Sequence, residues 1–496
     1  MAPLAPSRSQ PTAAPTSALW AGAIAQPATE FAATTLSVLE GQLPAGLRGT
    51  LYRNGPARLE RGGTRVGHWF DGDGAVLRVN FDGDSRRDTR FESVPERLAN
   101  RAVATYRYVR SAGFVDEEEA QQCLYRGYGS LPPGSIWQRW QTQIKNAANT
   151  SVLALPDRLL ALWDGGLPHS LDLETLETHG LDNLQGLQAS DTVAAHSKRH
   201  PRTGDIFSFG LIPGGNATLK LYRCSAAGAL EQTGTIPLAG IPLIHDFVLA
   251  DRYLVFCVSP VRLSPLPALF ALSSFSDALQ WQPQQGTQII VVDADSLEAI
   301  ALNPVDPWYQ WHFGHSYLDF DGSIVFDVVR YPDFTTNQQL KEVASGQVTT
   351  TADAQLWQYR IDPNTGKVLD QQCLIDRHCE FPVAFGYDET ATTYLNVHRT
   401  VPTPVGELFG AIARLDPKTG LTVADAGEGR YPSEPIAVAN PANPQQPWVL
   451  TVVYDGHQHR SELWIYEGNE LENGPICRLG LPEVVPHSFH GTWVDG

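Results

Sequence analysis

IDPNTGKVL at residues 361–369 and LDPKTGLTV at 415–423 are two copies of one turn, an acidic bend with a strand-like run on either side. Asp-Pro and Thr-Gly supply hairpin chemistry: proline presets its own φ, and glycine accepts the left-handed backbone a tight turn needs. Looser relatives stand at VDADSLEAI (292–300), LDLETLETH (171–179), NFDGDSR (80–86), YRCSAAGAL (222–230) and IYEGNELEN (465–473). The seven copies recur at irregular separations of roughly 50 to 90 residues. A strand unit repeated at that period predicts an all-β chain, a seven-bladed β-propeller in which each blade is a small antiparallel sheet. A pair of β-sandwich domains is the alternative reading of the same turns.

The runs between the turns agree. YLVFCVS (253–259), QIIVVDA (288–294), GSIVFDVV (322–329) and WVLTVVYD (448–455) are short, rich in β-branched and aromatic residues, and bounded by Gly, Pro, Asn or Asp. Helical periodicity is weak except around 135–147, where WQRWQTQIKN forms a turn or two. The start, MAPLAPSRSQPTAAPTSALW, is rich in Pro, Ala and Ser and lacks the apolar core of a secretory signal. Residues 1–30 therefore read as a disordered leader and 31–496 as one domain.

Composition excludes several function classes. The net charge is −18, from 36 basic and 54 acidic residues. Phosphate binding needs basic patches, so nucleic acid is an unsuitable partner. No GxGxxG or GxxxxGK[ST] sequence offers a phosphate cradle, and FDGDG (70–74) is an acidic turn without EF-hand spacing. The six cysteines contain no CxxC pair and are sparse for 496 residues, which suits a reducing, cytoplasmic location. Cys373 and Cys379 read as small buried residues. No apolar run is long enough for a transmembrane helix.

Four histidines lie in or beside apolar runs: His196 in AAHSKRHP, His245 in PLIHDFVL, His312 in YQWHFGHS and His490 in PHSFHGTW. Neutral imidazole is a common ligand for zinc, copper, iron and nickel. The inner strands of a propeller converge on its axis, so one histidine from each of four blades can meet there. The stretch from 322 to 460 has no such histidine and is left to supply supporting groups.

A set of segments in fixed order sharpens this reading: GTLYRNGP (49–56), FDGDG, YRGYGS (125–130), KNAANTSV (145–152), RLLALWDGGLPHSLD (158–172), LIHDF (243–247), CEFPV (379–383), SEP (433–435), HRSEL (459–463) and HGTW (490–493). In these the chain resembles the carotenoid cleavage oxygenases, above all their cyanobacterial apocarotenoid-cleaving branch. The resemblance implies a seven-bladed propeller capped on one face by a dome of loops and short helices. It implies one Fe(II) on the propeller axis, held by His196, His245, His312 and His490. It further implies that Asp164, Glu380 and Glu434 accept hydrogen bonds from the outer nitrogens of three of those ligands, which fixes their tautomers. The implied reaction is dioxygenase cleavage of a conjugated C=C bond, with an apocarotenal giving retinal and a second aldehyde.

Three departures from the family pattern bear on the site. Ser197 stands where proline is common, without consequence for ligation. Asp164 replaces a glutamate and is one methylene shorter, so its contact to imidazole is expected to run through water. In HFGHSYLD (312–319), His315 takes the place of an asparagine and competes with His312 for the ligand role.

An apolar polyene and O2 as partners demand an apolar tunnel. Phe70, Trp163, Trp311 and Phe313 are its candidate walls. Residues 135–143 and 261–275, the latter broken by two prolines, form a candidate patch for peripheral contact with a membrane. Competing readings are a hydroxystilbene-cleaving enzyme, a retinoid ester isomerohydrolase, a non-catalytic carotenoid-binding propeller and a zinc hydrolase. The isomerohydrolase lacks its membrane-targeting features here. The zinc reading fits poorly with four separated histidines.

Overall fold

In the computed structural model, which describes residues 18–81, 101–270 and 272–496, seven antiparallel sheets follow one another around a ring. Blade 2 is typical. Its strands Ser151–Ala154, Leu159–Leu162, His169–Leu171 and Thr178–Leu181 pair in chain order from the axis outward. Blades 3 to 6 repeat this, starting on the innermost strands Lys198–Arg199, Val248–Ala250, Tyr309–Leu318 and Cys379–Phe385. Neighbouring blades bury both faces of their strands. Val255, Ile289 and Val291 of blade 4 pack on Ile324, Phe326 and Val328 of blade 5, which is why these strands read as near-continuous apolar runs.

The acidic turns occupy one topological position. IDPNTGKVL joins Gln355–Ile361 to Val368–Ile375, and LDPKTGLTV joins Ala411–Asp416 to Gly420–Asp425, the third and fourth strands of blades 5 and 6. The copies at 171–179, 222–230, 292–300 and 465–473 do the same in blades 2, 3, 4 and 7, and the copy at 80–86 lies largely outside the described residues. Their aspartates act through local acceptance. The Oδ1 atom of Asp416 takes the backbone N–H groups of Lys418 and Thr419, both at 2.8 Å. Strand directions alternate, so the second-to-third and blade-to-blade connections leave from the other face. Those connections carry the short helices Ala112–Ala120, Ile136–Gln141, Pro265–Leu269 and Thr335–Ser345, which form the expected dome.

Both chain ends seal the ring. The terminal strand Gly491–Asp495 pairs antiparallel with Gly49–Arg58 and becomes the fifth strand of blade 1, while Ser37–Gly41 joins Cys477–Gly480 in blade 7. GTLYRNGP is the receptor for this closure. The Asn54 N–H donates to the His490 carbonyl at 2.9 Å, and the Phe489 N–H donates to the Asn54 carbonyl at 2.9 Å. A Cβ on Gly55 would stand 2.5 Å from the Ser488 Cα, so only glycine lets the two backbones meet.

Two expectations need correction. The leader does not extend to residue 30. Residues 1–17 lie outside the described residues, but Leu19–Ile24 is a 3-10 helix with Trp20 fully buried, and the Trp20 indole N–H donates to the Gly406 carbonyl at 2.7 Å. Cys379 is buried, whereas Cys373 is exposed, because it lies on Val368–Ile375, the outermost strand of blade 5.

One buried acid in this core gives a stability prediction. Asp327, on Ile324–Tyr331, is 4% exposed, and its Oδ1 accepts from Gln358 Nε2 at 3.0 Å. Burial pushes its pKa up to about 7. Above its ordinary value the unfolded chain ionises first, so stability falls as pH rises toward 7 and the full loss persists above it. Asp327→Asn removes the titration. The variant is expected to be more stable at pH 8 by on the order of 2–4 kcal/mol, with the gain vanishing near pH 4. Denaturant midpoints at the two pH values check this, and a gain that does not depend on pH would refute it.

Candidate functional site

The seven blades each deliver one residue to the axis. His196 precedes the inner strand of blade 3, His245 precedes that of blade 4, and His312 lies on the inner strand of blade 5. His490 precedes the closing strand of blade 1. Asp164 follows Leu159–Leu162 of blade 2, Glu380 lies on Cys379–Phe385 of blade 6, and Glu434 sits between two inner segments of blade 7. One nitrogen from each of the four histidines lies within 4.8 Å of the corresponding nitrogen of every other. His196 Nε2 and His245 Nε2 are 3.1 Å apart.

The carboxylates hold the outer nitrogens. His245 Nδ1 donates to Asp164 Oδ2 at 2.6 Å, His312 Nδ1 to Glu380 Oε2 at 2.5 Å, and His490 Nδ1 to Glu434 Oε1 at 2.8 Å. Asp164 therefore reaches its imidazole directly, not through water. It is the most exposed of the three acids, and its other oxygen accepts the Ala195 N–H at 2.7 Å, which pulls the shorter side chain inward. With Nδ1 used, Nε2 of each ring is left for the centre. His312 Nε2 is buried without any partner. A buried ring nitrogen left so costs free energy unless something accepts or is bound by its lone pair. A cation at the centroid of four such nitrogens fits that donor set.

Burial favours the neutral imidazole at two of the four positions. Burial, followed by the neighbouring imidazoles, holds the pKa of His196 and of His490 well below the ordinary imidazole value. Burial also opposes charge on His245, but the Asp164 carboxylate outweighs it and raises that group. Burial lifts Glu434 to about 7, against the pull of the Arg53 guanidinium. His315 is not part of the cluster. Its Nε2 donates to the Asp388 carbonyl at 2.8 Å, within a strand irregularity between Phe313 and Ser316.

A cavity of about 390 Å³ opens beside the cluster. Phe70, Trp163 and Trp311 line it. Phe70 lies parallel to the His245 ring and Trp311 meets it edge-on, with centroids 6.5 and 5.2 Å away. Phe313 does not line it. It is 4% exposed and packs on Phe326 between blades 4 and 5. A register shift between Gln310 and Phe313 turns Trp311 and His312 together toward the axis and sends Phe313 outward.

Sequence reading missed three groups. Arg53 is 1% exposed; its Nη1 donates to the Glu434 carbonyl at 2.7 Å and its Nε to Ser488 Oγ at 2.9 Å. The hydroxyl of Tyr331 donates to Glu380 Oε1 at 2.8 Å, a pairing across 49 residues with no local signal. Phe381, at φ +57°, follows Glu380 in a second register shift and places its ring 5.3 Å from both His312 and His490. A non-glycine residue in that conformation marks a locally enforced backbone.

The sequence profile of the family described as retinal pigment epithelial membrane protein matches residues 24–495. The chain is 33% identical over 476 residues to apocarotenoid-15,15'-oxygenase of Synechocystis, covering 92% of each. It is 25% identical to resveratrol cleavage oxygenase 1 of Aspergillus fumigatus, covering 92% of this chain and 91% of that one. The crystal structure of cobalt-substituted Synechocystis ACO superposes with a TM-score of 0.86 at 30% identity, covering 96% of this chain and 98% of that one.

Proposed function

The chain belongs to the retinal pigment epithelial membrane protein family of oxygenases, and from that premise we propose that it is an Fe(II)-dependent dioxygenase that cleaves a conjugated C=C bond of an apocarotenoid. An apocarotenal cut at its central double bond yields retinal and a second aldehyde. The ring over 31–496 acts as one catalytic unit, because every blade contributes a residue to the axis. The observation that carries the reading is four imidazoles converging at the wall of an apolar cavity, three of them anchored by carboxylates.

Iron held by His196, His245, His312 and His490 supplies the electron transfer that dioxygen needs to react with an alkene. The protein's part is orientation and exclusion. Asp164, Glu380 and Glu434 fix which ring nitrogen faces inward. Phe70 and Trp311 lay flat and edge-on apolar surfaces against the His245 ring, where a planar polyene can stack. Trp69 and Phe489 close the wall behind them.

The test is aerobic turnover by iron-loaded protein in mild detergent, offered an apocarotenal and a hydroxystilbene, with products separated by chromatography. Retinal from the first substrate supports the reading. Cleavage of the stilbene alone moves the substrate class, and iron without any product supports a binding protein. In the same assay, Glu380→Gln is expected to lower metal affinity or turnover by roughly 10- to 100-fold. Asp164→Asn is expected to cost less, because the Asp164 side chain is 37% exposed and the Glu380 side chain only 6%. Equal losses would contradict this ranking.

We also propose that the dome meets a membrane. No helix among the described residues is long and apolar enough to cross one. Trp137 and Trp140 of Ile136–Gln141, together with Leu266, Phe270 and Leu272, are exposed, Trp137 by 75%. Ile144, just after the first segment, and Leu263, within the second, both line the cavity, so this apolar surface adjoins it. Flotation with liposomes is expected for the wild type and should be lost in Trp137→Ser/Trp140→Ser; a double variant that still floats would count against it.

A further inference from the structure

Beyond Phe381 the cavity changes character. The Phe409 ring is 6.5 Å from Phe381, and His378 and His398 flank it, with ring centroids 5.1 and 4.8 Å away. The two imidazoles are 5.0 Å apart, and both line the cavity two aromatic rings from the metal cluster. They are 7% and 3% exposed.

Two other polar side chains at this end already have partners. The Tyr431 hydroxyl donates to Glu407 Oε2 at 3.0 Å, and His487 Nε2 donates to the Trp20 carbonyl at 2.9 Å. The two flanking imidazoles are not fully paired. His378 Nδ1 accepts the Ala354 N–H at 2.8 Å, which puts the ring proton on Nε2, and no described residue accepts it. No hydrogen bond from a described residue reaches either nitrogen of His398. Burial lowers His378 well below the ordinary imidazole value. Burial, then Arg399 and Arg377, lowers His398 to about 4. Both rings are therefore neutral: His378 has its Nε2–H left to donate, and His398 offers one donor and one acceptor.

Two buried imidazoles with unused ring nitrogens at one end of a mainly apolar cavity call for a ligand that both donates and accepts. We propose that His378 and His398 bind a hydroxyl group on the end of the polyene: His378 Nε2–H donates to its oxygen, and a ring nitrogen of His398 accepts its proton. The anchored end then sets which double bond lies against the centre. This rests on the polyene-cleaving function proposed above and deepens it into a rule for end-group choice.

A site built to hydrogen-bond a hydroxyl rejects the analogue lacking it, because its own polar groups are left unpaired. The experiment compares two apocarotenals of equal length, one with a terminal ring hydroxyl and one without, and reads the ratio of their kcat/KM values. In parallel it measures their dissociation constants by quenching of the tryptophan fluorescence of the cavity wall. Wild type is expected to favour the hydroxylated polyene by about 10-fold or more. His398→Phe keeps a ring against Phe409 and is expected to bring the ratio near one, and His398→Gln to restore part of it. Equal preference for the two polyenes in wild type, or an unchanged ratio in His398→Phe, overturns the proposal. If neither polyene is turned over but the hydroxylated one binds tighter in a His398-dependent way, the end-group site stands and the cleavage reading falls.

Discussion

His312→Ala is expected to empty the centre of metal and to abolish polyene cleavage while leaving the propeller folded. The loss should go well beyond the roughly 10- to 100-fold that follows removal of an outer partner, because an inner nitrogen is deleted. The fold should persist for a local reason. Glu380, left without its imidazole, keeps the Tyr331 hydroxyl at 2.8 Å on one oxygen and the Phe381 N–H at 2.9 Å on the other. Its desolvation is then still largely compensated. His315→Ala is the matched control: its ring is tied to the Asp388 carbonyl, so metal content should not change. Metal analysis with circular dichroism reads both. A His312→Ala protein that keeps about one iron per chain would remove His312 from the ligand set, and loss of metal in His315→Ala would reopen the choice between the two.

Arg53→Met should be the most damaging single change to stability outside the hydrophobic core. The guanidinium is fully enclosed and joins three separate segments: the Gly49–Arg58 strand, Glu434 of blade 7, and Ser488 and Phe489 ahead of the closing strand. Removing one partner of a buried charge pair costs about 3–5 kcal/mol, because the other charge is stranded. Here the stranded group is Glu434, whose Oε2 lies 3.8 Å from Arg53 Nη1 and whose Oε1 anchors His490. A denaturant midpoint shift of that size, together with reduced metal content, is the expected result. A stable variant that has lost only its metal would show that Arg53 serves the centre and not the ring.

How much of this could be read in the sequence depended on whether the cause was local. The acidic turns were legible because an Asx turn is made by residues two apart, and their count gave the blades. Asp164, Glu380 and Glu434 were found through short strings that the family shares. Phe313 does not follow from nearness in sequence to His312, because nearness gives no direction: the shift between Gln310 and Phe313 turns it away from the axis. The leader was drawn too long because what orders Trp20 is the Gly406 carbonyl, 386 residues away. Arg53 was visible only as part of GTLYRNGP; its role exists once the two ends of the chain meet. His378 and His398 gave no signal, since each becomes notable only by an unused ring nitrogen in a cavity assembled from several blades.

The closing strand also makes metal retention a reporter of ring closure. His490 sits between Phe489, whose N–H bonds the Asn54 carbonyl, and Gly491–Asp495, which pairs with Gly49–Arg58. The other three imidazoles stand on blades 3 to 5, away from that seam. Whatever parts the seam therefore withdraws one ligand of four and leaves three in place, so a latch that slips shows itself first as a looser metal site.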